Sequence, residues 1–276
     1  MEHKKSIISG EVVTNREVTE NHFLMSLTVP DNFKAALPGQ FIMVRVKDME
    51  NTFLARPFSI YSTYSVKNNT VLEVLYRVVG KGTLKFSCLK RGDKLDILGP
   101  LGNGFDVPPD CKKITLVAGG IGVAPLSFLA EYYGQQSTDS TDDRKVICYI
   151  GARTSEWLVG VEKLEEVCSR VVISTDDGSQ GHHGYVTDLF RKDINLYRRD
   201  SSMVYSCGPY PMMKKIAGIL EDYPIPCQVS IEERMACGVG ACLGCAVSVK
   251  SQEGHSRYMR VCTDGPVFDI EQIIWD

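Results

Sequence analysis

The sequence contains no apolar run long enough to cross a bilayer; its longest weakly polar stretch, Val117 to Ala130, is short and broken by glycines. Basic charge is not in excess. Lys+Arg 31 against Asp+Glu 34 leave a net charge of -3, so neither nucleic acid nor an anionic membrane is expected as a partner. No signal-peptide pattern follows the polar Met1-Glu2-His3-Lys4-Lys5, and a reducing, cytoplasmic compartment is therefore expected. Also missing are the usual G-x-G-x-x-G dinucleotide fingerprint and a second C-x2-C pair of the kind that four-thiolate zinc sites commonly use.

Cysteine, by contrast, is plentiful, and four of the 10 form a pattern. Cys237, Cys242 and Cys245 stand as C-x4-C-x2-C, and Cys262 follows further along, which is the spacing of a plant-type [2Fe-2S] site. Gly238, Gly240 and Gly244 lie between the ligands, so the backbone can curl closely around an inorganic core and leave N–H groups free to face its sulfurs. A structural zinc is the competing reading, and the single C-x2-C step disfavours it. Cys88, Cys111, Cys148, Cys168, Cys207 and Cys227 are scattered, mostly among apolar residues, and read as core hydrophobes or ordinary thiols.

At 276 residues with 43% hydrophobic content, the chain is long enough for more than one core. Short strand-like runs, Ile7 to Thr14, Phe23 to Val29, Gln40 to Lys47, Phe58 to Ser62, Val71 to Val78 and Lys94 to Leu98, are punctuated by Pro30, Pro38, Gly39, Asn68, Asn69 and Gly92. They predict a small antiparallel β-barrel. From about residue 110, the buried-type strands Ile114 to Ala118, Lys145 to Ile150, Val171 to Ser174 and Met203 to Ser206 alternate with helix-length segments, which predicts a doubly wound parallel sheet. The polar stretch Gln135 to Arg144 reads as a surface loop between a helix and the next strand. The expected organisation is a multidomain β and α/β chain with a barrel at 1-105, an α/β domain at 106-225 and a small cysteine-bearing module at 226-276.

Three motifs carry chemistry. Arg56-Pro57-Phe58-Ser59-Ile60-Tyr61 offers a fixed charge for a pyrophosphate, a hydroxyl, and two planar rings that could hold a flavin between them; it also fits any strand entry. Gly80-Lys81-Gly82-Thr83 precedes the amphipathic Leu84 to Leu89, with Thr83 as the expected N-cap, and reads either as an anion site or as a plain capping turn. Gly119-Gly120-Ile121-Gly122-Val123-Ala124-Pro125 joins a strand to the apolar helix Leu126 to Tyr133. That arrangement lets a pyrophosphate approach the backbone, although glycines there also serve close strand-to-helix packing. Asp176-Asp177 and Cys207-Gly208-Pro209 follow two later strands, at the carboxyl ends where such sheets bind ligands.

In this order the motifs resemble the ferredoxin-NADP reductase superfamily over residues 7 to about 225. With Ser230 to Cys245 (SIEERMACGVGACLGC) and Val261 to Phe268 (VCTDGPVF) added, the whole chain is similar to the electron-transfer subunits of type B dihydroorotate dehydrogenase. The resemblance implies FAD, a [2Fe-2S] cluster and NAD(H) as cofactors. It places FAD on Arg56, Pro57, Phe58, Ser59, Leu75, Tyr76, Arg77, Gly82 and Thr83, and the cluster on Cys237, Cys242, Cys245 and Cys262. Gly119, Gly120, Gly122, Asp176, Cys207, Gly208 and Pro209 are the candidates for the nicotinamide dinucleotide. The implied partner is an FMN-containing catalytic subunit that oxidises dihydroorotate to orotate in pyrimidine synthesis, in a heterotetramer with two of each subunit. The small subunit of NADH-dependent ferredoxin:NADP oxidoreductases is similar too but carries an aspartate where Cys237 stands, so the full set of thiolates favours the dihydroorotate family.

A hydride carries two electrons and a [2Fe-2S] cluster exchanges one at a time, so a flavin must stand between them. The expected function is NADH oxidation through FAD, with single electrons leaving through the cluster. The alternatives are a flavin and Fe-S reductase subunit serving a ferredoxin- or sulfur-linked partner, or a redox-sensing regulatory subunit. Asp176-Asp177 points to NADH over NADPH, because a carboxylate beside the ribose repels a 2′-phosphate. Glu232, Glu233 and Arg234 read equally as a partner contact or a solvated turn, and His182-His183 as an exposed pair without a metal.

Overall fold

The computed structural model describes residues 7–46, 54–67, 69–135, 144–197, 202–251 and 255–276. The polar N-terminal residues 1–6, Lys47, Asn68 and residues 136–143 of the polar loop lie outside the described residues.

The first part of the chain is all antiparallel. Its strands are β1 (Ile7–Thr19), β2 (His22–Val29), β3 (Phe41–Val46), β4 (Arg56–Ser59), β5 (Ser62–Val66), β6 (Asn69–Arg77) and β7 (Lys94–Leu101), with the short helix α1 (Lys81–Ser87) before β7. They form one sheet in the order β4-β3-β7-β1-β2-β6-β5. The period of two is visible in the core, where Met25 and Leu27, Ile42 and Val44, Leu72 and Val74, and Leu95 and Ile97 are all fully buried on one face. Each such side chain contributes about 1.5–3 kcal/mol by leaving water. The run expected from Phe58 to Ser62 is two strands, not one. Between them the Ile60 N–H donates to Gln40 O (3.0 Å) and the Tyr61 N–H to Glu73 O (2.9 Å), so the chain steps from the β3 side to β6 and draws the two edges of the sheet together.

The second part alternates strand and helix: β8 (Lys113–Gly119), α2 (Val123–Gln135), β9 (Lys145–Ala152), α3 (Val161–Val167), β10 (Arg170–Thr175), the two-residue β11 (His182–His183), α4 (Val186–Asp193), β12 (Ser202–Cys207) and α5 (Tyr210–Leu220). The sheet runs β11-β10-β9-β8-β12 and then continues through two strands of the C-terminal segment, β13 (Cys227–Ser230) and β16 (Val267–Asp269). All pairings are parallel except β13 with β16. Both faces are covered, and Leu116, Val117 and Ala118 are accordingly buried in succession. Helix α2 is apolar almost all round because it has two neighbours: Leu126 and Leu129 join a core with Ile114 and Leu116 of the sheet, while Phe128 joins the barrel core.

Polar contacts fix the barrel to this domain. Ser62 Oγ donates to Glu131 Oε2 (3.1 Å), Lys163 Nζ pairs with the same carboxylate (2.9 Å) and lies 4.1 Å from the centre of the Tyr61 ring, and Thr19 Oγ1 donates to Glu156 O (2.6 Å). The C-terminal segment adds the hairpin β14 (Ala246–Lys250) and β15 (Ser256–Arg260). Since β13 and β16 belong to the α/β sheet, a boundary at 226 passes between elements that share hydrogen bonds. Cys245 and Cys262 share a core with Val229, Phe268 and Ile270 and with Phe41 and Met43 of the barrel. Among the described residues no helix is long and apolar enough to cross a membrane.

Candidate functional site

The sheet places its ligand crevice by topology. From β8 the chain moves outward through β9 and β10, then returns to place β12 on the other side of β8, so the strand order reverses between β8 and β12. The turns leaving these two strands, Gly119 to Gly122 and Gly208-Pro209, face each other there. A Cβ on Gly122 would lie 2.3 Å from the Cys207 carbonyl oxygen, so only glycine permits this approach. A cavity of about 850 Å³ opens at the crevice and is lined by Gly119, Gly120, Gly122, Asp176, Gly208 and Pro209. Cys207, the remaining candidate, is fully buried and does not line it. Burial and the neighbouring Glu232 push its thiol well above the usual range, so it serves as packing beneath the turn.

A second cavity, of about 780 Å³, lies against the barrel and gathers Arg56, Pro57, Phe58, Ser59, Leu75, Tyr76, Arg77 and Thr83 from β4, β6 and α1. The Arg56 guanidinium rests on Gly82, where a Cβ would meet Nε at 2.8 Å, and donates to Leu54 O (2.6 Å). Gly82 thus shapes this site without lining it. The expected ring sandwich is absent. Phe58 turns into the barrel core against Tyr76 and Phe86, with ring centres 5.4 and 5.3 Å apart, and Tyr61 is buried against the Lys163 ammonium. Thr83 is not the N-cap either, because α1 begins at Lys81. Its hydroxyl instead accepts the Val79 and Gly80 N–H groups (2.8 and 3.2 Å), closing the turn that leads into the helix. Together, a charged fork over a cradle that a Cβ would fill and a volume within the range of cofactor pockets fit a nucleotide-bearing flavin.

The two cavities adjoin. Arg77, Ile121, Ile231, Glu232 and Glu233 line both, and the acidic pair that follows β13, exposed to solvent, stands at the rim the two share. Crowding by the protein raises the Glu232 carboxyl above its ordinary value, while Arg77 pulls it back. Several further residues of the dinucleotide cavity, Arg153, Trp157 and Tyr185 among them, have no counterpart among the sequence candidates. The carboxyl end of β9 was the available signal for Arg153, since it lies level with the strand ends that carry Gly119 and Asp176.

Between β13 and β14 the chain has no regular structure, and here the cysteines meet. Cys237 contacts Cys242, and Cys245 contacts Cys262. Among the described residues no three such side chains converge on one metal ion. Burial alone would raise the Cys237 thiol, but the N–H groups of Val239, Cys242 and Ala241 and the Cys242 thiol hold it at about 6. Cys262 is pushed up to about 11 by burial and by Cys245. The remaining cysteines are buried at 111, 148, 207 and 227, half-buried at 168 and exposed at 88. His182 and His183 are exposed.

Comparison with known proteins covers the three regions separately. Residues 9–105 match the oxidoreductase FAD-binding domain, residues 116–218 the oxidoreductase NAD-binding domain, and residues 232–274 the iron-sulfur cluster binding domain of dihydroorotate dehydrogenase B. A dihydroorotate dehydrogenase B (NAD(+)) electron transfer subunit from Desulforamulus reducens is 39% identical over 98% of this chain and 99% of its own length. The corresponding Streptococcus mutans subunit is 39% identical over 96% of this chain and 97% of its own. Among solved structures, an NADH-dependent reduced ferredoxin-NADP oxidoreductase superposes with a TM-score of 0.81 at 29% identity, covering 97% of this chain and 90% of that one. Phthalate dioxygenase reductase shares the fold, with a TM-score of 0.62 at 20% identity over 93% of this chain and 77% of that one.

Proposed function

The chain belongs to the family of dihydroorotate dehydrogenase B electron-transfer subunits, and we propose that it oxidises NADH through FAD and passes single electrons through a [2Fe-2S] cluster to a catalytic subunit. The observation that carries this reading is the pair of adjoining cavities with a shared wall, one at the reversal of the parallel sheet and one on the barrel, set beside two pairs of thiols. When bound, FAD supplies the conversion between a two-electron hydride and one-electron carriers.

The residues divide the work. Arg56, held over Gly82, binds the flavin diphosphate, and Ser59 and Thr83 line the same cavity. Gly119, Gly120 and Gly122 with Gly208 and Pro209 let the dinucleotide backbone approach the strand ends. Asp176, at the end of β10, repels a 2′-phosphate and so favours NADH. Cys237, Cys242, Cys245 and Cys262 would hold the cluster through their thiolates. The partner carries FMN, the assembly contains two of each subunit, and the complex works in the cytoplasm. With NAD(+) as the acceptor, the same residues would hold the same cofactors for the reverse direction, in which dihydroorotate is the electron donor.

The likeness in fold to an NADH-dependent reduced ferredoxin-NADP oxidoreductase favours one alternative, a ferredoxin-linked partner for the same cofactors. An absorption spectrum of anaerobically purified protein, before and after NADH, tests the core of the reading. Flavin and iron in the ratio of a [2Fe-2S] flavoprotein, both reduced by NADH, are expected; zinc in place of iron, or a flavin that NADH does not bleach, overturns it. Copurification with the dihydroorotate-oxidising subunit, as against a ferredoxin-linked one, decides the partner.

A further inference from the structure

Trp157, at the end of the turn after β9, carries two guanidinium groups on its ring. The Arg77 Cζ lies 4.8 Å from the ring centre and the Arg153 Cζ 5.4 Å from it. The two arginines come from different domains, Arg77 from the end of barrel strand β6 and Arg153 from the residue after sheet strand β9. The turn that presents the indole is fastened on both sides, by Thr19 Oγ1 to Glu156 O (2.6 Å) and by the Ser155 N–H to Ser179 Oγ (2.7 Å). The His22 ring meets the indole at its edge, with ring centres 6.0 Å apart.

Three arginines of the described structure sit with carboxylates: Arg45 with Asp96, Arg170 with Asp193 and Arg260 with Asp264. Among the described residues neither Arg77 nor Arg153 has a carboxylate at ion-pair distance, Glu232 acting on Arg77 only from further off, and both line the cavity into which the Gly119 to Gly122 turn opens. Gathering two like charges on one ring is unfavourable unless an anion joins them. Stacking leaves the planar donor forks free to bond such an anion edge-on.

We propose that Arg77 and Arg153 form a clamp for the diphosphate of the nicotinamide dinucleotide, with Trp157 as the positioning residue that holds both guanidinium groups. The clamp spans the two domains, so the diphosphate bridges barrel and sheet. It leaves Asp176 to face the ribose end of the same cavity. The inference rests on that cavity being the NAD(H) site.

Arg153 lines only the dinucleotide cavity, whereas Arg77 lines both, so Arg153→Gln is the discriminating variant. Binding of ADP-ribose and of adenosine is measured by calorimetry on the full chain with FAD and cluster in place. Arg153→Gln is expected to weaken ADP-ribose binding by about tenfold to a hundredfold, the range for one charge-assisted hydrogen bond, and to leave adenosine binding unchanged. Arg153→Lys recovers part of the loss, since it keeps the charge without the fork. Trp157→Ala follows Arg153→Gln, and Trp157→Phe restores much of the affinity by returning an aromatic face. Wild-type affinity for ADP-ribose in Arg153→Gln, or an equal loss of adenosine binding, overturns the clamp alone. Failure of the unmodified protein to bind ADP-ribose overturns the reading of the cavity together with the clamp.

Discussion

The nucleotide cavities and the cysteine loop are built in opposite ways. Around the cavities most of the wall is regular structure: strand ends supply Arg56, Arg77 and Gly119, Asp176 follows the end of β10, and each strand is held by its ladder and by a buried face. Only the first residues of the cysteine loop, Ile231 to Glu233, reach both cavities. The loop from 231 to 245 has no ladder, and among its thiols Cys242 is exposed and Cys237 half-buried. A cavity formed by packed backbone exists before its ligand arrives. A site formed by thiols along an irregular loop draws part of its order from the metal, because ligand binding and local folding share one free energy. The molecule therefore combines a preformed hydride site with a cluster site that depends on its occupant.

Removing a proposed cluster ligand tests this contrast most severely. Cys242→Ser is expected to lose the iron and the cluster absorption almost completely while keeping FAD, and NADH should still bleach the flavin; loss of FAD along with iron would break the distinction between the two regions. Substitution at the preformed site should act through packing. In Gly122→Ala the new Cβ meets the Cys207 carbonyl, backbone against backbone. It should cost about 1–3 kcal/mol, lowering the melting temperature by roughly 2–4 °C per kcal/mol and weakening NAD(+) binding with the iron content unchanged. An unaltered melting temperature would show that the turn can yield.

The smallest effect concerns His22, beside the Trp157 ring. Burial lowers its pKa below the usual 6.5, opposed by the hydrogen bond with the Glu20 carbonyl. The unfolded chain therefore takes up a proton that the folded chain refuses. This contribution to stability is complete above 6.5 and is lost as pH falls through the lower folded value. Melting curves across that interval should fall more steeply for the unmodified protein than for His22→Gln. Equal slopes would show that the ring titrates alike in both states.

Much of this was legible before the fold was known, and the exceptions share a cause. The alternation in Met25 and Leu27 or Leu72 and Val74 marks the barrel because side-chain period is a local property. The Gly119 to Gly122 turn and the C-x4-C-x2-C spacing are local too. Phe58 to Ser62 read as one strand because the alternation runs on through Ile60 and Tyr61, while the crossing is set by hydrogen bonds to Gln40 and Glu73. Cys207 stood out by its motif, yet it is the neighbouring Gly208 and Pro209 that reach the cavity. The Arg77, Trp157 and Arg153 stack has no sequence signature at all, since it joins two domains through side chains far apart in the chain.

The strands β13 and β16 are neighbours in the sheet, with Ser230 paired to Val267, and everything that carries the cluster cysteines lies between them. Paired residues in an antiparallel ladder stand about 4.5–5.5 Å apart. The iron-sulfur segment thus leaves and re-enters the flavoprotein through a doorway one residue pair wide. A short turn joining Ser230 to Val267 would close that doorway and keep the edge strand. It would also uncover Phe41 and Met43 of the barrel and take Ile231, Glu232 and Glu233 from the cavity walls, so the segment is tied to the flavoprotein by packing and not by its doorway alone.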